Sequence, residues 1–257
     1  QKGTLAADFA KDKAIRLLCR PLTKGKGDSI IFFVAKACWE EKMKAQACIF
    51  DFDGVVVDSE KYHHLAWRQV AQDMGTDFSY EEYMPYKSAG RKVLIPYLLK
   101  KAGIPYSDAV YQKYYDMREK TIMQALAALS PKDVTSGLTD FLALLRRNGI
   151  KTAVASSSAA AHVTAKRFGL FDKFDAFVDV DSNLPNKPNP HLFLRAAQLL
   201  HTEPCDCVVF EDSINGLKAA KAAGMHSVGI QTYFTDMADK IIDDFTDADL
   251  TLLQFDK

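Results

Sequence analysis

Ala47-Cys48-Ile49-Phe50-Asp51-Phe52-Asp53-Gly54 decides how this chain folds. Four apolar residues without polar alternation read as a strand buried on both faces, the mark of a parallel sheet. Two carboxylates and a glycine follow at once, so the strand runs out into a tight polar turn. Outward from there the pattern returns, with short apolar runs at Thr152–Ala155, Ala176–Val180, Cys207–Phe210, Ser227–Ile230 and Leu250–Leu253. Apolar residues at helical spacing separate them at about 136–148, 158–168, 190–201 and 213–223, the last ending at Gly224. Strand–helix–strand repetition predicts an α/β fold, a doubly wound parallel-sheet core with helices on both faces.

One stretch breaks the alternation. From Ser59 to Leu129 the patterns are helical throughout, first with Tyr62, Leu65, Trp67 and Val70, then Val93 to Leu99, then Val110 to Leu126. The expected organisation is therefore a core built from 43–57 and 132–257, with an inserted helical cap at 58–131. Residues 1–42 read as a leader extension of unknown role, with Met43 as a candidate natural start. The leader's most apolar run, Ile30 to Cys38, contains Lys36 and falls short of the ~18 residues a membrane span needs.

Composition narrows the partners. Across 257 residues, 33 Lys+Arg balance 33 Asp+Glu, which gives no electrostatic reason to expect nucleic acid or an acidic membrane surface. Five cysteines, an odd number in a long chain, argue against a disulfide framework and for a reducing compartment. A cytoplasmic monomer is expected. Cys205-x-Cys207 has no second pair to complete a zinc site, and no Gly-x-Ser-x-Gly elbow supports a serine hydrolase.

Ligands of open parallel sheets bind beyond the carboxyl ends of the strands. Asp51 and Asp53 follow the first strand; Ser156, Ser157 and Ser158 the second; Lys187 the third, after a loop; Glu211 and Asp212 the fourth. These types suit phosphoryl transfer through an aspartyl phosphate. Asp51 and Asp212, with Glu211 close by, form a hard oxygen-rich site for Mg²⁺. Lys187 would balance charge, and Ser156 and Ser157 would hold phosphate oxygens with nearby backbone amides. Asp53 is placed to protonate the leaving oxygen and then deprotonate the incoming one, a role for which a raised pKa is expected. The bland alternatives are a solvated Asp-x-Asp loop, serines that only cap the next helix, and a Glu211 that does the same.

Asp51-Phe52-Asp53-Gly54-Val55-Val56-Val57-Asp58-Ser59-Glu60 resembles the first motif of the haloacid dehalogenase-like phosphotransferase superfamily. Ser156, Lys187 and Glu211-Asp212 (in Glu-Asp-Ser-Ile-Asn-Gly) are similar to its second, third and fourth motifs, in order. The insert resembles the small helical cap of the subgroup containing β-phosphoglucomutase and many sugar-phosphate phosphatases. The resemblance implies a Rossmann-like core, Asp51 as nucleophile, Asp53 as acid/base, and Mg²⁺ on Asp51, the main-chain carbonyl of Asp53 and the fourth-motif acids. It also implies cap contacts to substrate from His63 (in Tyr62-His63-x-x-Ala66-Trp67), from Lys87 and Arg91 (in Lys87-Ser88-Ala89-Gly90-Arg91), and from Arg118. Two departures stand out: Arg118 replaces a lysine and Ser88 a glycine. The favoured reading is a Mg²⁺-dependent phosphatase acting on a small phosphorylated metabolite of the sugar-phosphate type. A β-phosphoglucomutase-type phosphotransferase is the alternative, and a non-catalytic binding module the second alternative.

Overall fold

The structure, a computed structural model, describes residues 43–87, 90–158, 160–179, 184–185, 187–232 and 234–255. The expectations for the leader 1–42, for Ser88 and for the Val180 end of a strand lie outside the described residues. In chain order the strands are β1 (Met43–Lys44), β2 (Ala47–Phe50), β3 (Lys151–Ala155), β4 (Ala176–Val178), β5 (Cys207–Glu211), β6 (His226–Ile230), β7 (Lys240–Ile242) and β8 (Gln254–Phe255). Helices α1 (Glu60–Asp73), α2 (Tyr80–Tyr83), α3 (Arg91–Lys101), α4 (Asp108–Ala127) and α5 (Leu138–Arg147) lie between β2 and β3. Helices α6 (Ala161–Arg167), α7 (His191–Leu199) and α8 (Ile214–Ala222) follow β3, β4 and β5.

Six strands form one parallel sheet in the order β4-β3-β2-β5-β6-β7, and β1 pairs antiparallel with β8 in a separate ribbon. The order reverses between β2 and β5, where Phe50 lies beside Phe210 on one side and Val154 on the other. A doubly wound sheet opens its ligand crevice at that reversal.

Burial explains the apolar runs. Cys48 and Phe50 of β2 face one layer with Val154, Val208 and Phe210, against Phe141 and Leu145 of α5 and Ala161 and Ala165 of α6. Ala47 and Ile49 face the other, with Ala153 and Val209, against Phe193 and Ala196 of α7 and Ala219 and Ala220 of α8. Both faces are covered, so the strand needs apolar residues at every position. Phe50 and Phe210 stack at 4.7 Å between ring centres, and each such buried side chain contributes roughly 1.5–3 kcal/mol.

The expected strand at Leu250–Leu253 is corrected: it is a 3₁₀ turn, and the sheet's sixth strand is β7. Asp249 accepts from the Thr251 N–H at 2.8 Å and starts the turn, and of the four turn residues only Leu253 is buried. An Asp cap competes with extended backbone in this way. β7 is three residues long, lies on the sheet edge, and leaves Ile241 exposed.

The helical insert has its own core of Trp67, Val70, Phe78, Leu94, Ile95, Leu98, Leu99 and Tyr114. The chain enters and leaves it side by side. Asp58 N–H donates to the Asp133 carbonyl at 2.7 Å, Val57 bridges Val134, and Lys61 Nζ lies 2.7 Å from Asp133 Oδ1. Among the described residues no helix is long and apolar enough to cross a membrane.

Candidate active site

The turn after β2 folds back on itself: Gly54 N–H donates to the Val57 carbonyl at 2.7 Å, and the Val56 and Val57 amides donate to Phe52. Gly54 has φ +81°, and a Cβ there would sit 1.9 Å from Asp212 Oδ2. Only glycine lets the β2 turn approach the end of β5 so closely. Gly216 serves the neighbouring acid in the same way, since a Cβ on it would lie 1.7 Å from Glu211 Oε1.

Asp51, Glu211 and Asp212 are thereby brought together, each offering a carboxylate oxygen within 4.8 Å of the others. Lys187 Nζ reaches in from the loop after β4, 2.5 Å from Asp51 Oδ1 and 2.8 Å from Glu211 Oε1. The second Glu211 oxygen accepts from Ser213 N–H and Oγ at 2.7 and 2.9 Å, while Ser213 Oγ caps α8 through Gly216 N–H. Glu211 thus both binds Lys187 and steadies the start of α8. Burial pushes Asp51 up to about 7, Lys187 pulls it back, and Glu211 adds to the rise. Burial also raises Asp212 well above the usual range, Lys87 opposing and Glu211 adding. Three crowded hard-oxygen donors whose mutual repulsion a dication would relieve fit Mg²⁺.

Asp53 is elsewhere. Its carboxylate takes a 2.6 Å hydrogen bond from Ser59 Oγ, and His63 Nε2 stands 3.5 Å from the same oxygen. Burial acts to raise the Asp53 carboxyl, but His63, Ser59 and Ser158 together hold it below the usual carboxylate range. The expectation of a raised pKa at Asp53 is therefore corrected: the raised carboxyls are Asp51 and Asp212. The physical reason is donor count, since Asp53 collects hydrogen bonds while Asp51 collects like charges. The Asp53 side chain also lies outside the three-carboxylate cluster.

Ser156 is buried at the end of β3, and its Oγ accepts from Ser158 N–H at 3.0 Å, which leaves its own O–H free to donate into the site. Ser157 is exposed on the rim. Lys87, from the insert, is only 4% exposed and lies 2.6 Å from Asp212 Oδ2 and 4.0 Å from Glu60 Oε2. It lines the cavity against the acid cluster. Arg118 donates to His63 Nδ1 at 3.0 Å and to Glu119 Oε1 at 3.0 Å; Arg91 grips both Glu119 oxygens at 2.6 and 2.7 Å. Arginine carries only donors, so Nδ1 of His63 accepts and its proton points through Nε2 toward Asp53. One cavity of about 780 Å³ is lined by these residues, Ser59 apart, with the insert forming its roof.

The chain matches the haloacid dehalogenase-like hydrolase model over residues 45–224. It belongs to that family. It is 33% identical over 187 residues to β-phosphoglucomutase of Bacillus subtilis, covering 72% of this chain and 83% of that one. It is 30% identical over 189 residues to fructose-1-phosphate phosphatase YqaB of Escherichia coli, covering 71% and 95%. Among solved structures, a β-phosphoglucomutase from Clostridium difficile aligns with TM-score 0.70 at 27% identity, over 81% of this chain and 95% of that one. Within the haloacid dehalogenase-like family the chain thus stands among sugar-phosphate phosphatases and phosphomutases.

Sequence reasoning passed over Glu119, Glu60 and Tyr83, whose hydroxyl meets Glu60 Oε1. No short motif marks Glu119. Its partner Arg91 stands 28 residues away on a neighbouring helix.

Proposed function

We propose that this haloacid dehalogenase-like protein is a Mg²⁺-dependent phosphatase that hydrolyses a small phosphorylated metabolite, a sugar phosphate, through a phosphorylated Asp51. The observation that supports it most is Lys187 bridging Asp51 and Glu211, whose carboxylates each come within 4.8 Å of Asp212's, at the sheet's reversal point and under a helical roof. Asp51, Glu211 and Asp212 would hold Mg²⁺, which supplies charge to offset the repulsion between a carboxylate and a phosphate.

Asp51 attacks phosphorus, and the bond from phosphorus to the substrate oxygen breaks. Asp53 takes up a proton from solvent as the phosphate dianion arrives beside it and hands that proton to the departing alkoxide. Asp53 then takes a proton from water, the water oxygen attacks phosphorus, and inorganic phosphate leaves with the Asp51 carboxylate restored. Lys187 and Ser156 hold phosphate oxygens, and the roof excludes bulk water. The Bacillus subtilis relative favours a second reading, in which the sugar itself takes back the phosphoryl group.

Product analysis separates them. With β-glucose 1-phosphate and a bisphosphate primer, the phosphatase reading expects free phosphate that EDTA abolishes. Glucose 6-phosphate without free phosphate overturns it in favour of the mutase, and no turnover of any phosphate ester overturns both.

A further inference from the structure

The roof of the cavity carries an anion of its own. Arg91 uses Nε and one terminal nitrogen to clasp both oxygens of Glu119, the same paired geometry a guanidinium uses for phosphate. Arg118 spends one terminal nitrogen on Glu119 and the other on His63, and its face lies 5.2 Å from the Trp67 ring. Its Nε–H, on a side chain more than nine-tenths buried in the cavity wall, has no partner among the described residues. Both arginines thus spend donors on Glu119, and the carboxylate, a third exposed, is the acceptor that the roof presents to the cavity.

We propose that Glu119 selects against a second phosphate and fits the cavity to sugar or polyol monophosphates with hydroxyls at the end remote from the phosphate; this rests on the phosphatase reading above. A distal phosphate would have to prise Glu119 from Arg91 and then remain beside it, like charge on like charge. A hydroxyl instead donates to Glu119 without disturbing the clasp, and Tyr115, 5.4 Å from the Arg91 guanidinium, packs against that arginine. The same carboxylate disfavours mutase turnover, because moving a phosphoryl group between two hydroxyls of one sugar passes through a bisphosphate.

The test is the ratio of kcat/KM for fructose 1,6-bisphosphate to that for fructose 1-phosphate, scored by phosphate release, with the glucose 1,6-bisphosphate and glucose 1-phosphate pair alongside. In the unmodified protein the bisphosphates are the poorer substrates. Equal or better use of them overturns the proposal without any variant. In Glu119→Gln the ratio rises about tenfold or more, the scale expected when a unit charge about 6 Å from a dianion is removed in a solvent-screened site with a dielectric near 80. Glu119→Asp, which keeps the charge, retains the discrimination. An unchanged ratio in a folded Glu119→Gln overturns the role of Glu119. Hydrolysis of p-nitrophenyl phosphate, which has no distal group, reports on the chemistry separately. Its absence in the unmodified protein defeats the phosphatase reading, whereas its presence with an unchanged ratio defeats only this inference.

Discussion

The rim of the sheet and the roof of the cavity hold their charges in opposite ways. At the rim, Asp51, Glu211 and Asp212 are delivered by the ends of two adjacent strands, and their register leaves three carboxylates too close for comfort. In the roof, Arg91, Arg118 and Glu119 project from helices and settle among themselves into ion pairs. At the rim three carboxylates meet two lysines, which leaves one negative charge over for the cation that the proposed function calls for. In the roof two arginines share one carboxylate, and the donors and acceptors they leave over decide what it can still bind. Strand ends suit chemistry because backbone pairing fixes them; helix faces suit selection because a single side chain can be exchanged without moving the backbone.

Substitutions on each side probe that contrast. Asp51→Asn removes the proposed nucleophile while relieving carboxylate crowding, so the protein should lose about 10⁴-fold or more in kcat yet melt no lower than the parent. A kcat within tenfold of the parent would break the assignment of chemistry to the rim. Gly54→Ala forces a Cβ toward Asp212 in a left-handed turn and should cost about 10²-fold in kcat through displaced carboxylates, with a lowered Tm as well. Unchanged rates there would mean the close approach of the β2 turn to Asp212 is not needed.

The smallest effect belongs to the roof. Burial raises the Glu119 carboxyl, but the Arg91 and Arg118 pairs outweigh it and hold it below its ordinary value of 4.5. A depressed acid stabilises the folded state above its unfolded pKa and loses that contribution as pH falls through the folded one. The Tm difference between the parent and Glu119→Gln should therefore be present at pH 7 and shrink below about pH 4.5. A difference that is constant with pH would show that the pairs add nothing to stability, in keeping with partly exposed ion pairs elsewhere.

Much of the rim was legible along the chain, because a strand buried on both faces announces itself as an unbroken apolar run and the residue after it must lie at the edge. Thr152–Ala155 and Cys207–Phe210 were readable on that ground, and with them Ser156, Glu211 and Asp212. The far end of the sheet was not. Leu250–Leu253 has the composition of a strand, but Asp249 caps it into a turn, and Lys240–Ile242 is an edge strand too short to show a pattern. The roof was hidden for another reason: Arg91 and Glu119 meet only because α3 packs on α4, and helical periodicity states which face is apolar, not which charged residue on one helix meets which on the next.

The buried strands and helices of the sheet's centre, the acids that follow them and the family to which they belong are properties of the chain read as a string, since local apolar patterning and adjacent polar residues do not depend on distant partners. Protonation and pairing are another matter. Asp51 and Asp53 stand two positions apart with the same side chain, yet one is pushed up to about 7 and the other is held down. Folding alone placed Lys187 and Glu211 beside the first, and His63 and Ser59 beside the second, because the electrostatic surroundings of a carboxylate are set by neighbours in space.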